Sequence, residues 1–137
     1  MSTIGVFGII FDEQKKILLC HRRDYDLWNL PGGGLEAGEA PWEGIIREVK
    51  EETGFDVVVE KVSGVYFKPA DNEVCFSFIC KIIGGKPTLN DEADCIEYFA
   101  FDDMPQNTSK KQVERIKDAL TDPTKVWMKI QTQPKSR

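Results

Sequence analysis

A glycine triplet that runs into an amphipathic helix pattern restricts the fold of this chain more than any other feature. Residues 31–55 read PGGGLEAGEAPWEGIIREVKEETGF. Pro41 stands where the first helical turn tolerates proline, and Gly54 stands where a helix commonly ends. The pattern therefore predicts a helix over residues 40–53. The glycines before it allow the backbone and neighbouring groups to approach closely.

Apolar residues recur along this helix at the spacing of one helical face. Four of them fall within a stripe about 100° wide: Trp42, Ile45, Ile46 and Val49. We expect this stripe to pack on the core. Glu48 and Glu52 lie about 40° apart beside it. Glu51 lies further round, four residues after Arg47, and can pair with it.

Three carboxylates crowded at one helix end require a physical explanation. Like charges four residues apart repel, and the helix macrodipole disfavours anions near the C-terminus. Arg47 offsets only one of the three charges. A divalent cation would relieve the rest, and carboxylate oxygens suit Mg²⁺ or Mn²⁺. The alternative is an ordinary solvated face of glutamates.

The negative charge is concentrated around this helix. The 137-residue chain carries a net charge of −5, and residues 34–60 contain eight acidic and two basic residues. The remainder is close to neutral and has no basic stripe. Binding to a nucleic-acid polymer or to an anionic membrane surface is therefore disfavoured.

The cysteine and histidine content argues against a zinc site and against disulfides. The four cysteines have no C-x-x-C spacing, and His21 is the only histidine. Three of the cysteines lie in apolar segments, which favours reduced, buried thiols in a cytoplasmic protein. The N-terminal residues lack the basic region and cleavage site of a signal peptide, and we expect a cytoplasmic location.

The remaining segments predict a mixed α/β fold in a single domain spanning residues 1–137. Strands are expected at 4–11 and 16–23 as a hairpin, then at 56–68, 73–83 and 95–101, with a loop over 25–39. A second helix is expected over 109–120, capped by Asn107 or Thr108, with Val113, Ile116 and Leu120 on one face. The tail after about residue 122 is a short strand at 125–130 or loosely docked, and 131–137 is expected to fray.

The segment around the helix resembles the signature of the Nudix hydrolases, G-x5-E-x7-R-E-U-x-E-E-x-G-U, where U is apolar. Every fixed position is filled: Gly33, Glu39, Arg47, Glu48, Val49, Glu51, Glu52, Gly54 and Phe55. The resemblance extends over roughly residues 4–120. It implies the Nudix fold, a mixed β-sheet sandwiched between α-helices.

The resemblance also implies a chemistry and roles for the glutamates. Nudix enzymes hydrolyse a nucleoside diphosphate linked to another group X, with Mg²⁺ or Mn²⁺. By this resemblance Glu48 and Glu52 are the main metal ligands, and Glu51 contributes or binds a second ion. The carbonyl of Gly32 completes the shell, and Arg47 orients Glu51. Glu39 is structural or a weak outer ligand.

The base that activates water is less closely defined by the resemblance. Some members use a glutamate of the signature, and others use an acid on a later loop. The loop NDEADCIE offers Glu92, Asp94 and Glu97. Glu92 is our prediction, because Glu97 lies in a strand whose alternation can point it away.

The substrate is restricted only to a nucleotide or nucleotide derivative. Arg22, Arg23, Trp28 and Gly33 are candidate binding residues. Pro69 lies 15 residues after Gly54, a spacing that resembles ADP-ribose pyrophosphatases, but it also fits a turn. ADP-ribose and ordinary or oxidised nucleoside triphosphates all remain candidates.

Several properties stay open at the level of the sequence. A non-catalytic nucleotide-binding module on the same fold is the alternative function, although the complete set of charged signature residues favours an enzyme. A homodimer is compatible with the resemblance, and neither the number of metal ions nor the phosphorus attacked follows from the residues.

Overall fold

The structure is a computed structural model that describes residues 3–132. Within that range it contains eight strands, two α-helices and a short 3₁₀ turn at Phe101–Asp103. The strands are β1 Thr3–Ile10, β2 Ile17–Arg22, β3 Trp28–Asn29, β4 Gly32–Gly34, β5 Phe55–Lys68, β6 Glu73–Gly85, β7 Ala93–Phe99 and β8 Trp127–Ile130. The helices are α1 Pro41–Thr53 and α2 Lys110–Thr121.

The strands form two sheets. The larger has the order β4-β1-β6-β5-β8 and is mixed, because β1–β6 and β5–β8 are parallel pairs and the others are antiparallel. The smaller sheet has the order β3-β2-β7 and is antiparallel. This arrangement confirms the predicted mixed-sheet α/β fold class.

Alternating residues of β1 place the sheet between the two helices. Val6 and Ile10 belong to a core cluster with Ile45 of α1, whereas Ile9 belongs to a second cluster with Ile116 of α2. Successive side chains of a strand point to opposite faces, so one strand can contribute to both cores. The predicted sandwich of a sheet between helices is confirmed.

Helix α1 ends as predicted but presents a different face to the core. Gly54 adopts a left-handed conformation, with φ 83°, and its N–H donates to the Lys50 carbonyl. Trp42 and Ile46 are 59% and 40% exposed, so their prediction as core residues was wrong. The buried line runs through Ile45, Val49 and Glu52, so the buried face is rotated toward Glu52.

Helix α2 departs from the prediction at its cap and on its buried face. Ser109 is the N-terminal cap, whereas Asn107 and Thr108 hydrogen-bond to Asp26 and the Pro105 carbonyl. Leu120 is 37% exposed. The buried positions are mostly polar: Lys111, Gln112, Arg115, Ile116, Asp118 and Ala119. An apolar-periodicity argument does not detect such a face.

The predicted β1–β2 hairpin reduces to a turn and one bridge. Asp12 Oδ1 accepts hydrogen bonds from the Gln14 and Lys16 amides and closes the turn. The Phe11–Ile17 bridge and the hydrogen bond from the Asp12 amide to the Lys16 carbonyl join the two segments, and β1 and β2 belong to different sheets. The predicted loop over 25–39 also contains β3 and β4, which are too short to show periodicity.

The chain after α2 returns to the larger sheet. Strand β8 pairs in parallel with β5, as the short-strand alternative predicted. Gln131 is 2% exposed and hydrogen-bonds to Arg115, so predicting fraying from residue 131 was wrong there. The predicted fraying of 133–137 falls outside the described residues. Neither α1 nor α2 is long and apolar enough to cross a membrane.

Candidate active site

Three carboxylates from two distant segments converge beside the glycine triplet. Glu48 and Glu52 extend from the last turns of α1, and Glu92 comes from the loop before β7. One oxygen from each lies within 4.8 Å of the others. Of the three acids predicted as possible bases, Glu92 joins the group, whereas Asp94 pairs with His21 and Glu97 is exposed.

Glu52 is the most buried member of this carboxylate cluster. It is 8% exposed, and its Oε2 accepts a hydrogen bond of 2.5 Å from the amide of Gly32. Burial, with the nearby charges of Glu48 and Glu92, raises its pKa to about 8. Burial also raises the pKa of Glu48. Without a cation the cluster is therefore an unfavourable arrangement of charge.

Gly32 and Gly33 make this close approach possible. A Cβ on Gly32 would lie 2.1 Å from the Val6 carbonyl oxygen, and one on Gly33 would lie 2.9 Å from the Glu48 carboxylate. Both distances are shorter than non-bonded atoms allow. Because Gly32 and Gly33 have no side chains, the Val6 carbonyl and the Glu48 carboxylate can lie close to the backbone of the triplet.

We expect Gly33→Ala to displace the Glu48 carboxylate without unfolding the protein, because the clashing atoms are at the end of a flexible side chain. Metal affinity or activity should fall by about 10- to 100-fold. Titration calorimetry with Mn²⁺ and a steady-state assay measure these effects. Gly34→Ala is the matched control, since its Cβ would meet nothing within 4 Å. Equal losses in both variants would contradict the interpretation.

Arg47 forms hydrogen bonds with several carboxylates. Its Nε and Nη2 bind both oxygens of Glu39, at 2.7 and 3.0 Å, and its Nη1 reaches Glu48 and Glu51 at 3.0 and 3.1 Å. The predicted pairing with Glu51 is present, but the two-pronged contact is with Glu39. Arg47 also lowers the pKa of Glu39.

Glu51 stands apart from the cluster. Its side chain is 51% exposed and contacts Arg47, and it is not one of the three converging carboxylates. Glu92 is the third carboxylate of the cluster, beside Glu48 and Glu52.

Asn90 connects the loop of Glu92 to the end of α1. Its Oδ1 accepts hydrogen bonds from the amides of Glu92 and Ala93, and its Nδ2 donates to the Glu52 carbonyl. The amide and Nε of Arg23 bind the carbonyls of Glu92 and Asn90. Asn90 was not predicted from sequence; an Asn two residues before an acid in a loop is a weak signal of such a turn.

A cavity of about 640 Å³ opens beside the cluster. Its wall includes Glu52, Glu92, Gly32 and Gly33 as well as Arg22. This volume lies within the range of small-molecule sites, about 300–1,000 Å³. Carboxylates and a ligand-sized cavity therefore share one location.

Two of the predicted substrate residues line this cavity and two do not. Arg22 and Gly33 line the cavity, and Arg22 pairs with Asp24 while covering the Tyr25 ring at 4.5 Å. Trp28 packs edge-on against His21 and Phe99 and does not line the cavity. Arg23 supports the Glu92 loop through its hydrogen bond to Asn90. The binding role predicted for Trp28 therefore does not fit its position.

Comparison with known proteins agrees with this geometry. A family model described as the NUDIX domain matches residues 1–120.

The chain belongs to the Nudix hydrolase family.

Three relatives illustrate the range of this Nudix hydrolase's neighbours. A MutT-like protein of Streptomyces ambofaciens is 33% identical over 120 residues, 88% of this chain and 78% of that protein. A putative 8-oxo-dGTP diphosphatase of Bacillus subtilis is 40% identical over 86 residues, 63% of this chain and 58% of that protein. The crystal structure of a Streptococcus suis ADP-ribose pyrophosphatase is 26% identical, with a TM-score of 0.78, covering 94% and 98% of the two chains.

The carboxylate cluster fits a hard divalent cation. Its donors are oxygens only, which Mg²⁺ and Mn²⁺ prefer. The pKa values of Glu48 and Glu52 are raised first by burial and then by the neighbouring carboxylates, and Arg47 offsets this only at Glu48. A cation among these oxygens would supply a compensating positive charge.

His21, on β2, links the loop that follows β2 to strand β7. Its Nε2 lies 2.7 Å from Asp26 and its Nδ1 lies 2.8 Å from Asp94. Hydrogen bonds to both carboxylates favour the charged imidazole and raise its pKa above 6.5. His21 therefore joins β2 to the segment that follows Glu92.

We expect His21 to stabilise the fold at low pH. Because its folded pKa is raised, its contribution is complete below about pH 6.5 and is lost as pH rises through the folded pKa. Urea unfolding of wild type and His21→Gln across pH 5.5–9 measures this difference. The gap between the two proteins should narrow at high pH, and a gap that does not change would contradict this role.

Proposed function

We propose that this Nudix hydrolase cleaves the pyrophosphate bond of a nucleoside diphosphate linked to another group X. The observation that carries the proposal is the convergence of Glu48, Glu52 and Glu92 beside a cavity of about 640 Å³, whose wall includes Glu52 and Glu92. Glu48 and Glu52 would hold Mg²⁺ or Mn²⁺, with Gly32 adding its carbonyl. When bound, the cation neutralises phosphate charge and lowers the pKa of bound water.

The chain's own residues then divide the remaining work. Glu92 is exposed and free to accept a proton from the attacking water, so we assign it the role of general base. Arg47 fixes Glu48 in place. Arg22, on the cavity wall, contacts a phosphate oxygen. Glu51 supports a second ion if two are used.

The names of the relatives restrict the substrate. One is named as an 8-oxo-dGTP diphosphatase and another as an ADP-ribose pyrophosphatase. Both names describe nucleotides whose pyrophosphate bond is the reacting group. We therefore propose ADP-ribose or an ordinary or oxidised nucleoside triphosphate as the substrate class.

A substrate panel tests the proposal. ADP-ribose, diadenosine polyphosphates, 8-oxo-dGTP, common nucleotides and nucleotide sugars are incubated with Mg²⁺ or Mn²⁺, and the products are separated by chromatography. Hydrolysis in ¹⁸O-water identifies the phosphorus attacked. We expect cation-dependent cleavage of at least one compound. Tight binding without cleavage would instead support the non-catalytic module.

We also propose that the chain is one domain and acts in the cytoplasm. The two core clusters share strands β1 and β2, which supports a single unit. The four cysteines are free, which suits a reducing compartment.

A further inference from the structure

Helix α2 turns three hydrogen-bond donors toward the cavity that Glu52 and Glu92 line. Lys111, Gln112 and Arg115 all line that cavity, and they are 5%, 8% and 1% exposed. Long polar side chains are rarely this buried unless they are paired. Their partners therefore indicate what the cavity is built to receive.

Arg115 is buried without an acidic partner. Its Nε and Nη2 both donate to the Gln131 amide oxygen, at 3.1 and 2.9 Å. The guanidinium also lies 5.3 Å from the ring centroids of Phe7 and Tyr66. Within residues 3–132 its Nη1 has no hydrogen-bond acceptor.

Lys111 contributes an ammonium group to the cavity wall from a side chain that is largely buried. In the described part of the chain, its Nζ forms no hydrogen bond or ion pair. A cation on a largely buried side chain is stabilised when a ligand supplies an oxygen acceptor. Lys68, which lines the same cavity, does have a partner, because its ammonium pairs with Glu73 at 2.9 Å.

Gln112 adds a neutral donor between the two cations. Its Oε1 accepts a hydrogen bond of 2.6 Å from the Leu30 amide, which fixes the orientation of the side chain. The NH₂ group is then the part left to bind a ligand. The α2 donor face, defined as Lys111, Gln112 and Arg115, therefore offers donors to the cavity.

We propose that the α2 donor face is a subsite that selects substrates presenting oxygen acceptors. This inference rests on the proposed function, since the ligand is the part of the nucleotide that lies against α2. A 6-oxopurine edge offers such acceptors, and arginine and lysine pair well with O6 and N7 of guanine. Adenine instead presents an amino donor and is disfavoured. A phosphate group on the substrate is the other source of the same chemistry.

Binding of monophosphates tests the subsite without any hydrolysis. IMP and AMP differ at position 6 of the base, and neither contains a pyrophosphate bond. Titration calorimetry with the full chain in EDTA should show IMP binding about 10-fold more tightly than AMP. Lys111→Met keeps the apolar stem and removes the charge, so it should abolish the preference. Lys117→Met, an exposed lysine on the same helix, should leave it unchanged.

A second pair of ligands identifies the source of the acceptors. If IMP and AMP bind equally, ADP-ribose carrying a 2′-phosphate should bind more tightly than ADP-ribose, with the same dependence on Lys111. The proposal is overturned if neither pair is distinguished, or if the preference survives in Lys111→Met. Gln112→Glu, which keeps the acceptor for the Leu30 amide, should weaken the preferred ligand and provides a second variant.

The subsite and the proposed function can fail separately. A base or phosphate preference without cleavage of any compound in the panel would contradict the hydrolase and leave the subsite standing. Cleavage with no preference in either ligand pair would contradict the subsite alone.

Discussion

Glu52→Gln is expected to lower kcat by at least about 10²- to 10³-fold while the protein stays folded. The amide keeps the shape of the side chain and can still accept the hydrogen bond from Gly32, but it carries no charge for a cation. A steady-state assay on the best substrate of the panel measures kcat, and circular dichroism measures whether the protein stays folded. Glu13→Gln, on the exposed β1–β2 turn, is the matched control.

The same variant should be more stable than wild type when no metal is present. The folded pKa of Glu52 is about 8 against an ordinary value of 4.5, so the metal-free fold loses stability as pH rises between them. Glutamine does not ionise and escapes this loss. We expect Tm at pH 8 in EDTA to rise by about 5 °C or more. An unchanged or lower Tm, or activity like wild type, would contradict the role assigned to Glu52.

Arg47→Met should produce the second large effect, a loss of both stability and metal affinity. Methionine fills much of the volume but leaves Glu39, Glu48 and Glu51 without their shared cation. Because Arg47 is 24% exposed, the stability loss should be moderate, about 2 kcal/mol. Urea unfolding measures it, and Mn²⁺ titration should show affinity falling by about 10-fold or more.

Arg47→Lys separates charge from geometry. Lysine keeps the positive charge but cannot bind both oxygens of Glu39 while reaching Glu48. We expect stability to recover partly and metal affinity to recover less. Full recovery of both by lysine would mean that charge alone matters at this position.

Local sequence patterns predicted the parts of the fold that depend on local physics. The end of α1 at Gly54 and the clustering of Glu48 with Glu52 follow from helical spacing. The glycine triplet was correctly identified as a place of close approach. Which helix face is buried depended on packing against β1, and there Trp42 and Ile46 misled the prediction.

Long-range contacts account for what was missed. Glu92 was predicted only as a base, yet it lies with Glu48 and Glu52 because Asn90 binds the end of α1. The buried polar face of α2 was also missed, since its partners include Gln131, from the segment after β8. Neither relation is encoded in neighbouring residues, so no periodicity could indicate it.

The hydrogen bond from Asn90 to the Glu52 carbonyl limits how the length of this loop can change. Residues 86–92 form an exposed connection, the kind of place where insertions and deletions are usually tolerated. Here the length of the connection is constrained, because it determines whether the Glu92 carboxylate lies beside Glu52. A one-residue insertion after Asn90 would preserve both sheets and yet leave the third carboxylate out of reach. Among descendants of this sequence, drift in the length of this segment would disable the site before it disturbed the fold.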